Sequence, residues 1–439
     1  MSGMAPGPDW IAAPGGPLLG RLRVPGDKSV SHRAVMLGAI AEGRTRITGF
    51  LEGEDTRATA AILQRLGVRI ESPAEGERLV HGVGLRGLRP AEGPLDCGNA
   101  GTGMRLLAGL LAGQGFESVL IGDASLSKRP MRRVIEPLSR MGAVIDSAEG
   151  GLPPLRIHAK NALQGIDYEC PVASAQVKSA LLLAGLYAEG PTTVREPHPT
   201  RDYTERMLAA FGADIDFAPG VATLRPGRPL IATAVEVPAD FSSAAFFLAA
   251  ASLVPGSRLV LERVGVNPRR TGLLDALRLM GADIRVRPAG EQGGEPVADL
   301  EVRHAPLRGA RIPEALVPDM IDEFPVLFAA AALAEGETVV SGAAELRVKE
   351  SDRIAVMAEG LRALGADIEE RPDGAVIRGG RLHGGRADSR GDHRIAMALA
   401  VTAQCASGEV RIGDVANVAT SFPGFDALAR GVGFGLRIA

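Results

Sequence analysis

A recurring pattern of apolar and small residues divides the 439-residue chain into six similar segments. In each segment an amphipathic stretch ends in an apolar residue, then glycine, then residues that favour a strand. The glycines of this phrase are Gly67, Gly142, Gly212, Gly281, Gly365 and Gly433. Because glycine enters the left-handed region without steric cost, each phrase predicts a helix that ends and turns into a strand.

A second phrase recurs in step with the first, and both return at intervals of 66 to 84 residues. An Ala- and Leu-rich stretch, which predicts a buried helix, ends at a glycine and is followed by β-prone Thr, Val and Ile. These glycines are Gly43, Gly115, Gly190, Gly256, Gly336 and Gly408. Two phrases in register predict six copies of a βαβαββ unit.

Six copies exceed one ordinary core, so the sequence predicts an α/β protein with two domains of three units each. We place the first domain at residues 22–237 and the second at residues 1–21 together with 238–439. The sixth unit reaches Ala439 with strands missing, and the stretch before Gly26 can supply them. The chain would then cross between the domains twice, as a hinge requires.

Composition and charge exclude several classes of protein. A net charge of -3 argues against a nucleic-acid-binding surface. The sequence has no uninterrupted apolar run of about 18 residues, so we expect no membrane span. We also expect no secretory signal, because no basic region followed by an apolar stretch stands at the start of the chain. The cysteines Cys97, Cys170 and Cys405 lie far apart and in no metal-binding spacing. We therefore expect a cytoplasmic protein in a reducing compartment.

Polar residues gather at the predicted starts of the Ala- and Leu-rich helices. Helix capping by Ser, Asn or Asp accounts for many of these residues. At the start of the fourth helix, at Asp240, we expect capping to be the only role. Capping does not account for the cations Lys28, Arg33, Lys178 and Arg394. Cations are unfavourable at the positive end of a helix dipole unless an anion binds there. Solvated surface charge would explain any one of them, but their repetition favours a shared anion site.

Further charged residues stand near these starts. Arg129, Arg201 and Arg353 lie in predicted loops, Asp322 begins the fifth helix, and Glu350 follows Lys349. A carboxylate among cations is either a structural ion pair or an acid–base group, and the ion pair is the commoner case. For His32 we expect packing or capping and not catalysis.

Seven short segments carry most of these residues. They are Lys28-Ser29 with His32-Arg33, Asn99-Ala100-Gly101-Thr102, Ser127-Lys128-Arg129-Pro130-Met131, Gln176 with Lys178, Ile321-Asp322-Glu323, Lys349-Glu350-Ser351-Asp352-Arg353 and Asp392-His393-Arg394. Together they resemble the 5-enolpyruvylshikimate-3-phosphate synthases, in particular the bacterial class II branch, over nearly the whole chain. The resemblance implies an inside-out α/β barrel of six βαβαββ repeats, three per domain, that closes on its ligands.

The resemblance also implies the reaction. The enolpyruvyl group of phosphoenolpyruvate passes to the 5-hydroxyl of shikimate 3-phosphate by addition and elimination, releasing phosphate, in the biosynthesis of chorismate and aromatic amino acids. Shikimate 3-phosphate would contact Lys28, Ser29, Arg33, Ser174, Gln176, Arg201, Asp322 and Lys349. Phosphoenolpyruvate would contact Lys28, Gly101, Arg129, Gln176, Arg353 and Arg394. No metal or organic cofactor is expected, and the chain is expected to act as a monomer.

Two poised groups are needed, because protons move in both directions during the reaction. We expect Asp322 to act at the acceptor hydroxyl and Glu350 to donate the proton to carbon, with Lys28 and Lys349 assisting. The family is the target of glyphosate, which occupies the phosphoenolpyruvate site beside Gly101. We expect sensitivity to glyphosate, reduced by Leu106, because many sensitive relatives carry proline there.

One position departs from the pattern, and two alternatives stay open. Many relatives carry a lysine before the C-terminal Phe-Pro pair, where this chain has Thr420-Ser421. A UDP-N-acetylglucosamine enolpyruvyl transferase would share the fold, but it carries a reactive cysteine where this chain has Ser125 to Ser127. A non-catalytic phosphate-binding repeat protein would explain the cations, though not Asp322 and Glu350 among them.

Overall fold

Helices and strands alternate along the whole of residues 8–160 and 162–439, the part of the chain that the computed structural model describes. The predicted α/β class is confirmed. The helices are α1 (Lys28–Ile40), α2 (Glu54–Arg65), α3 (Gly101–Ala112), α4 (Arg132–Arg140), α5 (Ala175–Gly185), α6 (Tyr203–Ala210), α7 (Phe241–Leu253), α8 (Gly272–Leu279), α9 (Val317–Met320), α10 (Phe324–Leu333), α11 (Arg353–Arg362), α12 (His393–Ala403) and α13 (Phe425–Val432).

The strands are short, and most lie in four-stranded sheets. They are β1 (Trp10–Ala13), β2 (Leu19–Leu22), β3 (Glu42–Thr48), β4 (Arg69–Glu71), β5 (Glu77–Val83), β6 (Leu95–Asp96), β7 (Ser118–Ile121), β8 (Ile145–Ala148), β9 (Leu152–Ile157), β10 (Leu163–Gln164), β11 (Asp167–Glu169), β12 (Ala188–Glu189), β13 (Thr192–Arg195), β14 (Asp214–Ala218), β15 (Val221–Arg225), β16 (Val235–Glu236), β17 (Arg258–Gly265), β18 (Asp283–Gln292), β19 (Glu295–Arg303), β20 (Glu337–Val340), β21 (Asp367–Arg371), β22 (Gly374–Arg378), β23 (Gly385–Asp388), β24 (Val410–Gly413) and β25 (Gly435–Ile438).

The chain forms two compact units. The N-terminal unit comprises Gly26–Pro238 and Glu291–Glu295, and the C-terminal unit comprises Ala239–Gly290, Pro296–Ala439 and the described residues up to Pro25. Residues 1–7, which we assigned to the second domain, lie outside the described residues. Leu22 falls with the C-terminal unit, because β2 ends there and pairs with β17.

Each unit contains three sheets of three or four strands, and the N-terminal unit also contains the two-stranded parallel sheet β10-β12. The N-terminal unit has the strand orders β16-β3-β5-β4, β6-β7-β9-β8 and β11-β13-β15-β14. The first pair in each sheet is parallel and the others are antiparallel, as in a βαβ connection followed by a hairpin. The C-terminal unit has the orders β18-β19-β17-β2, β20-β22-β21 and β23-β24-β1-β25.

The strands that precede Gly26 and Ala239, where the chain passes from one unit to the other, belong to the unit that the chain is about to leave. β2 pairs in parallel with β17, although the next helix in sequence is α1. β16 pairs in parallel with β3, although the next helix is α7. β1 pairs with both β24 and β25 and so completes the sheet that contains the last strands of the chain.

Three helices in each unit are buried on nearly all sides. They are α1, α3 and α5 in the N-terminal unit and α7, α10 and α12 in the C-terminal unit. A helix that is apolar all round must lie inside a core, and within each unit these helices pack on one another. The contact between α3 and α5 is so close that a Cβ at Gly109 would lie 2.1 Å from the carbonyl oxygen of Ala180. The starts of the buried helices are brought together by this packing.

The predicted helix ends are confirmed. α2, α4, α6, α8, α11 and α13 each bury one face, and each is followed by a glycine of the first phrase with φ between +85° and +119°. After α2 the N–H of Gly67 donates to Gln64 and that of Val68 to Leu63, which satisfies carbonyls that the helix leaves open. The recurrent glycine therefore marks a change of chain direction in every repeat.

Candidate functional site

Polar and charged side chains gather at the starts of the buried helices of each unit, and the two groups are described separately. The N-terminal cluster comprises Lys28, Ser29, Arg33, Asp55, Gly101, Arg105, Arg129, Ser174, Gln176, Lys178 and Arg201. The C-terminal cluster comprises Asp240, Ser242, Arg270, Asp322, Glu323, Lys349, Glu350, Arg353, Asp392 and Arg394. All the predicted site residues lie in one of these two clusters.

The start of α1 combines a helix cap with a cation. The side chain of Asp27 accepts a hydrogen bond of 2.8 Å from the N–H of Val30. Lys28 Nζ donates to Oδ2 of Asp55, in the first turn of α2, at 2.9 Å. Because both side chains are largely buried, this pair is shielded from solvent and fixes the ammonium at the helix start.

Arg33 is buried one turn further along α1. Its Nε donates to Thr204 Oγ1 at 2.7 Å, and its two terminal nitrogens donate to Ser179 Oγ and the Ser29 carbonyl, each at 2.8 Å. Burial, with the charge of Arg201 nearby, lowers the pKa of Arg33 to about 10. The guanidinium is therefore still charged at neutral pH and is held by neutral oxygens.

Lys178 corrects our interpretation of the cations at helix starts. Its Nζ lies 2.7 Å from Glu196 Oε2 and 2.8 Å from Glu205 Oε1, and all three side chains are buried. Burial would lower the pKa of Lys178, but the carboxylates of Glu205 and Glu196 raise it overall. Lys178 is thus the centre of an internal ion-pair network and not part of an anion cradle.

The start of α3 is linked to the start of α5 through Gln176. Gln176 Oε1 accepts from Arg105 Nη1 at 2.9 Å, and its Nε2 donates to Thr102 Oγ1 at 2.9 Å. Arg105 had no predicted role, although a cation so near a helix start follows the same pattern as Lys28. Ser174 caps α5 by accepting from the N–H of Val177.

Arg129 and Gly101 lie side by side. Arg129 Nη2 donates to Asn99 Oδ1 at 2.6 Å and to Ser125 Oγ at 3.0 Å. A Cβ at Gly101 would lie 3.2 Å from Nη1 of both Arg105 and Arg129. Glycine at this position therefore allows the backbone of the helix start to approach both guanidinium groups.

His32 behaves as a packed residue. Its Nδ1 lies 2.8 Å from Thr59 Oγ1, and the ring is fully buried. Burial, together with Lys28 and Arg33, holds the pKa of His32 well below its usual range. The imidazole is consequently neutral at pH 7, which agrees with the expectation of packing.

Arg353 organises the C-terminal cluster. Its side chain is 1% exposed, and its three nitrogens lie 2.8 Å from Asp392 Oδ2, 3.5 Å from Asp322 Oδ1 and 2.7 Å from Glu350 Oε2. Burial would lower the pKa of Arg353, but Asp392, Glu350 and Asp322 raise it. One buried arginine thus fixes both of the carboxylates that we expected to move protons.

Asp322 lies among three cations. Its Oδ1 is 3.5 Å from Arg353 Nη1 and 3.7 Å from Lys349 Nζ, and its Oδ2 is 3.5 Å from Arg270 Nη1. Lys349 Nζ also contacts Glu345 Oε1 at 3.0 Å. The position of this carboxylate is therefore set by three cationic side chains.

Asp392 and Arg394 connect α12 to the start of α10. Asp392 caps α12 by accepting from the N–H of Arg394 at 2.9 Å, and it also accepts from Ser351 Oγ at 3.1 Å. Arg394 Nη1 donates to the carbonyl oxygen of Asp322 at 3.0 Å and lies 3.5 Å from Glu323 Oε1. The backbone next to the Asp322 side chain is therefore fixed from a second helix.

The fourth helix start does more than cap, which corrects our expectation for Asp240. Asp240 caps α7, but its Oδ1 also lies 3.4 Å from Arg270 Nη2. Ser242 Oγ donates to Glu323 Oε1 and accepts from Arg270. Sequence analysis gave Arg270 no role because it lies in a loop, far in sequence from the helix starts that it contacts.

Thr420 and the cysteines Cys170 and Cys405 are wholly or largely buried. Thr420 is buried, and its hydroxyl donates to the carbonyl of Asn417 at 2.7 Å. Burial raises the pKa of the Cys170 thiol to about 12 and that of Cys405 to about 11.

Within residues 8–160 and 162–439, no group of three His, Cys, Asp or Glu side chains has metal-binding geometry. No helix in these same ranges is long and apolar enough to span a membrane.

Comparison with known proteins identifies the family. A family model described as EPSP synthase (3-phosphoshikimate 1-carboxyvinyltransferase) matches residues 12–428. The chain belongs to the EPSP synthase family. It is 69% identical over 430 residues to a 3-phosphoshikimate 1-carboxyvinyltransferase of Xanthomonas oryzae pv. oryzae, covering 98% of each chain. A relative with the same name from Xanthomonas campestris pv. campestris is 69% identical over 427 residues, covering 97% of this chain and 98% of the relative.

Solved EPSP synthases share the fold. An EPSP synthase from Acinetobacter baumannii is 50% identical to the chain and superposes with a TM-score of 0.88, covering 99% of this chain and 100% of the other. The predicted family is thereby confirmed.

Proposed function

We propose that this EPSP synthase transfers the enolpyruvyl group of phosphoenolpyruvate to the 5-hydroxyl of shikimate 3-phosphate by addition and elimination. Family membership and the names of the 69% identical relatives support this reaction. The observation that carries the mechanism is the pair of carboxylates, Asp322 and Glu350, that share the buried guanidinium of Arg353. The shared guanidinium fixes the two carboxylates relative to each other, so that both can transfer protons to or from the same substrates.

In the addition step the 5-hydroxyl oxygen forms a bond to C2 of phosphoenolpyruvate. Asp322 takes the hydroxyl proton, and Glu350 gives a proton to C3, which becomes a methyl group. In the elimination step the bond from C2 to the phosphate oxygen breaks, and Glu350 takes a proton back from C3. The leaving phosphate takes up the proton that Asp322 accepted, so the reaction balances without a cofactor.

The N-terminal cluster supplies cationic groups for two anionic substrates. Lys28, Ser29, Arg33, Ser174, Gln176 and Arg201, with Asp322 and Lys349, are proposed to bind shikimate 3-phosphate. Lys28, Gly101, Arg129 and Gln176, with Arg353 and Arg394, are proposed to bind phosphoenolpyruvate. The forked guanidinium of arginine suits carboxylate and phosphate groups because it donates two parallel hydrogen bonds.

Two of these proposals are sharpened by the geometry. Each terminal nitrogen of Arg353 carries a second N–H group through which it can reach phosphoenolpyruvate while still holding Asp322 and Glu350. Arg33 uses three of its five N–H groups on Thr204, Ser179 and the Ser29 carbonyl. Its contribution to shikimate 3-phosphate therefore runs through the two that remain.

The architecture implied by the family also belongs to this proposal. We propose an inside-out α/β barrel of six βαβαββ repeats, a division into two domains of three repeats, and two hinge crossings that let the domains close on shikimate 3-phosphate. We further propose that the protein acts as a cytoplasmic monomer. Small-angle scattering should show a smaller radius of gyration with saturating shikimate 3-phosphate, and an unchanged radius would argue against closure.

A phosphate-release assay tests the reaction itself. Purified protein with phosphoenolpyruvate should release phosphate when shikimate 3-phosphate is present, and should not do so with UDP-N-acetylglucosamine. Release only with the nucleotide sugar would indicate the related transferase, and binding of both substrates without release would indicate a non-catalytic protein. Mass spectrometry of the product, with an added enolpyruvyl group on the acceptor, completes the test.

A further inference from the structure

Arg270 connects two buried helix starts through the two arms of one guanidinium. Its Nη1 lies 3.5 Å from Asp322 Oδ2 and 3.4 Å from Glu323 Oε1, at the start of α10. Its Nη2 donates to Ser242 Oγ and lies 3.4 Å from Asp240 Oδ1, at the start of α7. The side chain is 5% exposed, so these contacts are made away from solvent.

The same contacts form a closed network. Ser242 Oγ, which accepts from Arg270, donates in turn to Glu323 Oε1. Glu323 is also buried and lies 3.5 Å from Arg394 Nη1, which donates to the carbonyl oxygen of Asp322. The position of the Asp322 side chain is therefore set by Arg270 on one side and by the anchored α10 start on the other.

The three cations around Asp322 differ in what else they are proposed to do. Lys349 and Arg353 are proposed to contact the substrates, so their interactions with Asp322 change during binding. Arg270 is not among the residues proposed to contact the substrates, and besides Asp322 it contacts Asp240, Ser242 and Glu323. A cation anchored in this way can hold the carboxylate in one place throughout the reaction.

We infer that Arg270 is a positioning residue for the reaction, acting by tying the proton-accepting Asp322 to the starts of α7 and α10. This inference rests on the proposed function of Asp322. Misplacing a reacting group by about 1 Å costs on the order of 100-fold in rate, so the effect should fall on kcat. Substrate binding should change little, since Asp322 is the one proposed substrate ligand that has a described contact with Arg270.

The first test compares Arg270→Gln with Arg269→Gln in the purified full-length enzyme. Arg270→Gln should lower kcat about 30- to 100-fold, with both KM values within about threefold, because Asp322 loses its fixed position. Arg269 is the matched control, since it is partly exposed and pairs with Asp319. Arg269→Gln should keep near-normal kcat, and equal losses in the two variants would overturn the inference.

Two milder variants keep the test decisive if Arg270→Gln folds poorly. Arg270→Lys retains the charge but, lacking a fork, reaches one helix start and not both, so it should recover only part of kcat. Ser242→Ala removes the hydroxyl that joins Arg270 to Glu323 and should lower kcat about 3- to 10-fold, as expected for losing one buried hydrogen bond. Wild-type kcat in both variants would overturn the inference.

A double-mutant cycle separates positioning of Asp322 from other roles of Arg270. If Arg270 acts through Asp322, then Asp322→Asn with Arg270→Gln should be no slower than Asp322→Asn alone, within about threefold. Multiplied losses would overturn the inference while leaving Asp322 as the base. Near-normal kcat in Asp322→Asn alone would instead remove Asp322 from the proposed mechanism, and that failure is distinct from a failure of Arg270.

Discussion

The N-terminal and C-terminal clusters use the same kinds of residue in different ways. Arg33 and Arg129 of the N-terminal cluster donate to hydroxyl, amide and backbone oxygens. Arg353 and Arg270 of the C-terminal cluster pair with carboxylates. A neutral partner orients a cation and leaves its charge available to an anion, whereas a carboxylate partner balances the charge and is itself held in place.

The difference indicates a division of work between the two clusters. We propose that the first binds the anionic groups of the substrates and that the second holds Asp322 and Glu350 for proton transfer. Lys28 and Lys178 are exceptions within the N-terminal cluster, because each pairs with a carboxylate. The comparison therefore predicts that changes in the first cluster act mainly on binding, and changes in the second mainly on turnover.

The largest effect is expected for the two carboxylates. Asp322→Asn and Glu350→Gln should each lower kcat by about 10²- to 10⁴-fold, the usual range for a general acid or base, because an amide cannot carry the proton. Calorimetry should show that both substrates still bind within a few-fold of wild type. Glu359→Gln, an exposed change on α11, is the control, and a carboxylate variant with comparable kcat would be excluded from proton transfer.

Lys178→Met should act on stability and not directly on chemistry. Removing the ammonium leaves Glu196 and Glu205 buried without their cation, which costs on the order of 3–5 kcal/mol of unfolding free energy. Denaturant unfolding measures the loss. If stability were unchanged while substrate affinity fell, Lys178 would belong to the anion site after all.

The pH dependence of that variant has a definite sign. Burial already raises the pKa of Glu205, so the folded state binds this proton more tightly than the unfolded state. Stability from such a group is present below the unfolded pKa and is lost as pH rises through the folded pKa. Without Lys178 the shift should grow, so Lys178→Met should regain part of its melting temperature as the pH is lowered from neutral. A melting temperature that falls as the pH is lowered would contradict the assignment.

Arg129→Lys tests the binding side of the comparison. It keeps the charge but loses the fork, so the KM for phosphoenolpyruvate should rise about 10- to 100-fold, as expected for losing a charged hydrogen bond worth roughly 1.5–3 kcal/mol. The kcat at saturation should fall much less. Arg132→Lys, an exposed change at the start of α4, serves as the matched control. A loss confined to kcat would break the proposed division of work.

The smallest effect is expected at Gly101. The methyl group of Gly101→Ala would lie 3.2 Å from the guanidinium groups of Arg105 and Arg129, which must each shift by a few tenths of an ångström. We expect glyphosate to inhibit the wild type and to inhibit this variant several-fold more weakly, with a modest rise in the KM for phosphoenolpyruvate. Identical inhibition curves would show that Gly101 does not line the inhibitor site.

Local rules in the sequence determined the repeats, the helix starts and the helix ends. A glycine after an amphipathic stretch predicted each left-handed cap, and the six predicted starts of the buried helices are found at Lys28, Gly101, Ala175, Phe241, Phe324 and His393. These features depend on residues within a few positions of each other along the chain, so a linear pattern contains them. The family could be predicted for the same reason, since its motifs are short segments.

The partners of the charged residues were decided by tertiary structure. Lys178 looked like Lys28 in the sequence, yet Glu196 and Glu205 turn it into an internal ion pair. Arg270 had no local signal, and its contacts with Ser242 and Asp322 span 28 and 52 residues of sequence. Such contacts arise only when the buried helices pack and their starts converge. Charge pairing falls steeply with distance in space and is indifferent to separation along the chain, so the sequence located the charged groups and the packing assigned their roles.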